Sequence, residues 1–86
     1  MKQFNYTIND PLGIHARPAG TLSKLVKTFA GTTVTVEKDG KAAKASQLMK
    51  LMSLAIKQGD TVTVSVDGGD EAAACAALEE FFAKNL

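Results

Sequence analysis

The sequence has one cysteine, one histidine, two prolines and no long apolar run, and each shortage removes a class of protein. Cys75 alone cannot close an intramolecular disulfide. In the run Ala72-Ala73-Ala74-Cys75-Ala76-Ala77 it reads as a small packed thiol on a helix rather than a reactive one. A small domain without disulfides suits a reducing compartment. The opening Met1-Lys2-Gln3-Phe4-Asn5-Tyr6 lacks the apolar core of a secretory signal. No stretch approaches the ~18 apolar residues of a membrane span. The cytoplasm is therefore the expected location, with no membrane insertion. No metal-ligand cluster, Gly-rich nucleotide loop or carboxylate pair stands out, so no metal or cofactor is implied. Eighty-six residues allow a single domain, 1–86, with a modest core. A deep catalytic cavity does not fit beside such a core, which favours a surface site.

Charge is nearly balanced overall, at +1, but unevenly placed. Residues 15–57 carry eight basic side chains (Arg17, Lys24, Lys27, Lys38, Lys41, Lys44, Lys50, Lys57) against Glu37 and Asp39. Residues 58–86 carry six acids against Lys84 alone. A basic middle suits phosphate, nucleic acid or an acidic protein surface; the plain alternative is charge spread around the molecule. Nucleic acid is the weakest of these. Strand aromatics able to stack on bases are missing apart from Phe4 and Tyr6, which share the expected core face.

The hydrophobic pattern gives the order of elements. Phe4, Tyr6 and Ile8 alternate with Gln3, Asn5 and Thr7, a strand with one buried face. Asp10-Pro11-Leu12-Gly13 breaks it as a turn or loop. From Arg17 the period changes: Leu22, Leu25, Val26 and Phe29 mark an amphipathic helix, with Pro18 in its first turn and Gly31 at its exit. Val34 and Val36 lie on a second strand. Asp39-Gly40 predicts a two-residue hairpin into a third at about 41–45. Ser46 is read as the N-cap of a helix carrying Leu48, Leu51, Met52 and Ala55 on one face. Val62, Val64 and Val66 form the fourth strand. Asp70 caps a last helix burying Ala74, Leu78, Phe81 and Phe82. The expected fold is α+β: a two-layer open-faced sandwich, β-α-β-β-α-β-α, with a mostly antiparallel four-stranded sheet covered on one face by three helices.

The lone histidine sits where the first loop meets the first helix, in Gly13-Ile14-His15-Ala16-Arg17-Pro18-Ala19-Gly20. A single histidine is often an idle surface group. Here three features favour chemistry. The helix starts near Ala16 without a Ser, Thr, Asp or Asn to take its free amides, so Ala16 and Arg17 can offer backbone donors to an anion. Arg17 lies two residues on, and a guanidinium grips phosphate in bidentate fashion. Gly13, Ala16, Ala19 and Gly20 are small, which allows a partner's surface close to the ring. Imidazole, with a pKa of about 6.5, is a nucleophile at neutral pH. With no second catalytic group, the chain can accept and donate a phosphoryl group only if partners supply the remaining machinery.

Gly-Ile-His-Ala-Arg-Pro-Ala resembles the active-site motif of the HPr family, the histidine-containing phosphocarriers of the bacterial phosphoenolpyruvate:sugar phosphotransferase system. The likeness runs through the Asp39-Gly40-Lys41 turn, the Gln58-Gly59-Asp60 turn and the Asp70-Glu71 start of the last helix. It implies a carrier rather than an enzyme. His15 would take phosphate from phospho-enzyme I through ring Nδ1 and pass it to the IIA component of a sugar permease, with Arg17 assisting. It also implies a docking surface for acidic partners formed by Gly20, Thr21, Lys24, Lys27, Leu48, Met49, Lys50, Leu51 and Met52. Burial is the alternative for Leu48 and Leu51, while Met49 and Met52 suit adaptable contacts. Brief, charge-steered encounters between monomers fit that role.

One departure bears on regulation. Many Gram-positive members carry a serine at the start of the second helix that an ATP-dependent kinase phosphorylates. Aligned forward from the Gly40 hairpin, Gln47 rather than Ser46 fills that position; an extra residue between Phe29 and Val34 makes the plain numbering coincide at Ser46. Ser46 is therefore read as an N-cap before a kinase target, and an HPr kinase as a doubtful partner. The alternative for the whole chain is a regulatory binding module on the same fold, acting on a kinase or transcription factor.

Overall fold

The computed structural model describes residues 2–14, 16–29 and 31–86. Among them the chain runs β1 (Lys2–Thr7), α1 (Ala16–Lys27), β2 (Thr33–Lys38), β3 (Lys41–Lys44), α2 (Leu48–Ser53), β4 (Thr61–Asp67) and α3 (Glu71–Asn85). The strands pair in the order β1-β4-β2-β3, and every pairing is antiparallel. The open-faced α+β sandwich expected from the sequence is the fold.

Period-two alternation decides which face is which. Val34 and Val36 of β2 and Val62, Val64 and Val66 of β4 are buried beneath the helices. The opposite face is polar and stitched across strands. Thr7 bonds Thr61 at 2.9 Å, Thr63 donates to Asn5 at 2.8 Å, and Gln3 donates to Ser65 at 3.1 Å. The Asp39-Gly40 turn joins β2 and β3 through left-handed backbone at both residues, φ 51° and 80°. That twist matches the flanking strands, and it is why this dipeptide closes two-residue hairpins.

α3 is the main anchor of the core. Phe82 is fully buried, with Phe4, Tyr6 and Phe81 packed edge-on at centroid distances of 5.8, 5.5 and 6.0 Å. Edge-on rings add roughly 0.5–1.5 kcal/mol per pair to the burial itself. Asp70 caps α3, accepting from the Ala73 amide at 3.2 Å. Ser23, a buried polar residue on α1, donates to the Ala45 carbonyl at 2.7 Å and ties α1 to the segment after β3. Cys75 is a packed thiol, as its setting predicts: burial pushes its pKa up, with Glu79 adding to the effect.

Two expectations for α2 are corrected. Ser46 does not cap it. Ala45 is fully buried, and its amide donates to Val34 at 2.9 Å. Strand pairing therefore carries on one residue too far for Ser46 to lead the helix. Gln47 holds the N-cap position, its carbonyl accepting the first helical bond from Leu51 at 2.9 Å and its side chain making no cap bond. The helix is also shorter than its apolar stripe. Ala55 adopts φ 52° and lies beyond the Leu54 C-cap, so it shares no helical face with Leu48.

Candidate functional site

α1 begins at Ala16, at the end of a loop whose course is fixed by backbone bonds. Asn9 and Asp10 both donate to the Leu86 carbonyl oxygen, Gly13 donates to Asp10 at 2.9 Å, and Ile14 donates to Ile56 at 3.1 Å. Asp10 accepts from the Leu12 amide at 2.8 Å through its side chain, an Asx turn of the kind the sequence predicts. His15, the expected phosphoryl acceptor, lies outside the described residues; both of its neighbours in the chain are described.

The first turn of α1 carries no acidic residue. Ala16 and Arg17 bring backbone amides to a helix start, where such donors lack an intrahelical acceptor, and Pro18 brings none. Arg17 is exposed, and among the described residues its guanidinium makes no hydrogen bond or ion pair. Its backbone is held instead: its carbonyl accepts from Thr21 Oγ1 at 3.1 Å. Pro18 and Ala19 are buried, so the helix is seated firmly while this cation stays free to meet an anion.

Beside this start runs an open groove of about 300 Å³, lined by Asp10, Arg17, Pro18, Thr21, Lys84 and Asn85. It places a second cation on the side of the site that α3 supplies, where Lys84 is paired with Glu80 at 2.6 Å. Lys84 and Asn85 are not among the expected site residues. Lys84 did leave a signal, as the sole base in an otherwise acidic tail.

The other expected surface is partly assembled. α1 packs against α2. Thr21, Lys24 and Lys27 are exposed on the first helix, with Gly20 half-buried. On α2, Met49 is 80% exposed, Met52 37% and Leu48 36%, and Lys50 is exposed. Leu51 is corrected: at 1% exposure it belongs to the core and cannot meet a partner. Helical geometry accounts for this, since in a six-residue helix only one short stripe faces inward and Leu51 is on it. Leu12, 71% exposed in the loop ahead of residue 15, is an apolar surface residue that period analysis had no means to flag.

A family model described as "PTS HPr component phosphorylation site" matches residues 2–84. The chain belongs to the HPr phosphocarrier family. It is 39% identical over 85 residues to the phosphocarrier protein HPr of Mycoplasma genitalium, covering 99% of this chain and 97% of that one. It is 44% identical over 78 residues to the HPr of Lysinibacillus sphaericus, covering 91% and 88%. Its fold matches the crystal structure of HPr-C-His from Thermoanaerobacter tengcongensis with a TM-score of 0.89 at 36% identity, covering 95% of this chain and 91% of that one. The HPr family is that of bacterial phosphotransferase-system carriers. Among the described residues no helix is long and apolar enough to cross a membrane.

Proposed function

We infer that the chain carries a phosphoryl group on His15, taking it from phospho-enzyme I and giving it to the IIA component of a sugar permease. The observation that carries this reading is Arg17: an exposed guanidinium, unpaired among the described residues, in the first turn of a helix with no acidic residue there, two positions from the histidine. A lone pair on Nδ1 of His15 attacks the phosphorus held by phospho-enzyme I. The new P–N bond forms as the bond to the donor breaks, and the donor keeps that electron pair. Handing on to IIA repeats the step with the His15 imidazole as leaving group.

Charge spreads over the three equatorial oxygens during such a transfer, so catalysis is mostly positioning and electrostatic stabilisation. Arg17 and the Ala16 and Arg17 amides supply positive potential where that charge develops. Partners dock on Met49, Met52 and the exposed part of Leu48, with Gly20, Thr21, Lys24, Lys27 and Lys50 around them. Such contacts are small and steered by charge, which suits release after each transfer. The chain works in the cytoplasm as a monomer and is not itself an enzyme. Gln47, not Ser46, stands where the likeness to Gram-positive members places the regulatory serine, so we assign Ser46 no regulatory role; stoichiometric labelling of Ser46 by ATP and an HPr kinase would reverse that assignment.

Incubation with enzyme I and phosphoenolpyruvate tests the reading. The expected product is one acid-labile, alkali-stable phosphate per chain, absent from His15→Ala. An unlabelled wild type, or undiminished label in the variant, refutes it.

A further inference from the structure

We propose that Lys38 positions the phosphoryl-acceptor loop, acting through the 55–60 segment and the close seat of Gly13. The proposal rests on the carrier reading above and adds to it a residue on β2, outside both the loop and the first helix.

The loop from Ile8 to Ile14 is attached at both ends to the segment between α2 and β4. Ile8 donates to Asp60 at 2.9 Å, and Gly59 donates back to Ile8 at 2.8 Å. Gln58 Nε2 donates to the Asn9 carbonyl at 3.0 Å. At the far end Ile14, the residue before His15, donates to the Ile56 carbonyl at 3.1 Å. Between them Gly13 sits so close that a Cβ there would lie 2.2 Å from the Ile56 oxygen and 2.7 Å from Lys57 Cα. Its φ of +66° is also one that glycine adopts freely. The last residues before the acceptor thus lie directly on the backbone of residues 56 and 57, and any shift of that backbone moves them.

The 55–60 segment has little regular structure of its own, and Ala55 enters it in the left-handed region at φ +52°. Lys38 spans it from the sheet. Its ammonium donates to the Ala55 carbonyl at 3.1 Å and pairs with Asp60 Oδ2 at 2.8 Å. The same carboxylate oxygen accepts from the Lys57 amide at 2.8 Å. The Lys38 side chain is only 18% exposed, so the bridge is shielded more than an ordinary surface pair. One side chain therefore fixes both ends of the segment on which Gly13 and Ile14 rest.

The test compares Lys38→Met, Lys38→Arg and Asp70→Ala with wild type. Asp70 caps α3 at the opposite end of β4, so its loss destabilises the protein without touching the loop. Two readouts are taken: steady-state phosphorylation by enzyme I and phosphoenolpyruvate with the chain as varied substrate, and hydrogen exchange at the Ile14 amide. Misplacing a reacting group by an ångström or less is costly in rate, so Lys38→Met should lose about tenfold in kcat with KM held within about twofold. Lys38→Arg should recover most of it, and Asp70→Ala should keep wild-type kcat. Exchange at Ile14 should quicken in Lys38→Met more than in Asp70→Ala. A wild-type kcat in Lys38→Met, an equal loss in Asp70→Ala, or a rise confined to KM would overturn the proposal, the last by making Lys38 a docking residue. If wild type takes no phosphate, the carrier reading fails, while equal Ile14 exchange in the two destabilised variants still sinks the positioning role.

Discussion

Two helices of this protein begin in opposite ways. α3 starts with carboxylates in place: Asp70 accepts from the Ala73 amide at 3.2 Å, and Glu71 in the first turn accepts from the preceding Gly68 amide at 2.7 Å. α1 starts at Ala16 with no acidic residue in its first turn and, at its second position, an arginine unpaired among the described residues. A helix start carries about half a positive charge, and folding alone favours a carboxylate there. The α3 start follows that preference. The α1 start has no acid within its own first turn and adds a cation there, while Asp10 of the preceding loop lines the groove beside it. A start optimised for stability would already hold its anion. One kept for a transferable phosphate must wait without it.

The largest effect should come from reversing the charge at α1. Arg17→Glu should cut the phosphorylation rate by about a hundredfold or more, on the scale of losing a donor to a developing oxyanion. Its thermal unfolding should not fall below wild type, because the guanidinium makes no bond within the described residues and a first-turn carboxylate suits the helix end. A normal rate in that variant would remove Arg17 from the mechanism.

A milder change makes α1 resemble α3. Ala16→Glu puts a carboxylate where the helix end favours one, so it should raise stability by about 0.3–1 kcal/mol. It should also slow phosphate acceptance by about tenfold, through repulsion of the incoming group. Denaturant unfolding and a transfer assay on the same sample read both signs. A variant that gains stability at full speed would break the contrast between the two starts.

The reciprocal change acts on α3. Asp70→Ala should cost about 1 kcal/mol of stability, the usual loss for a removed cap, with transfer unchanged. Urea titration checks the first part and the label assay the second.

The smallest effect is in acid. The Gly68 amide holds the Glu71 carboxyl below its ordinary pKa, and the Lys38 side chain together with the Lys57 amide does so for Asp60. Both shifts are downward, so the stability they add is present above the ordinary carboxylate pKa and drains away as pH falls through the folded value. Glu71→Gln should therefore show a flatter fall in melting temperature between roughly pH 6 and pH 3, while keeping its transfer rate. An unchanged slope would mean that Glu71 titrates alike in the folded and unfolded states.

The strands and α3 are legible in the sequence because burial there follows a simple period. Val62, Val64 and Val66 alternate with Thr61, Thr63 and Ser65, and Phe82 falls four residues after Leu78. Asp39-Gly40 is legible because one backbone geometry suits it. The start of α2 is not, because it is set by Ala45, a residue whose own burial depends on Ser23 of α1 and Val34 of β2. The exclusion of Leu51 from the docking face follows from which stripe of a short helix faces inward, and the sequence shows the stripe but not the depth of its burial. At the site, the His15–Arg17 spacing could be read directly. The groove wall from Lys84 and Asn85 could not, since it depends on α3 ending beside the first loop. Nor could the demand on Gly13, which arises from the carbonyl of Ile56 and not from any turn signal.

The central claim is that His15 holds the phosphate. The direct measurement is ³¹P NMR of the chain after incubation with enzyme I and phosphoenolpyruvate, on wild type and His15→Ala in parallel. The account predicts a single phosphoramidate resonance from wild type at one equivalent, lost on acidification and never formed by the variant. A protein-bound phosphate resonance that survives acid, or one of equal size in His15→Ala, contradicts it.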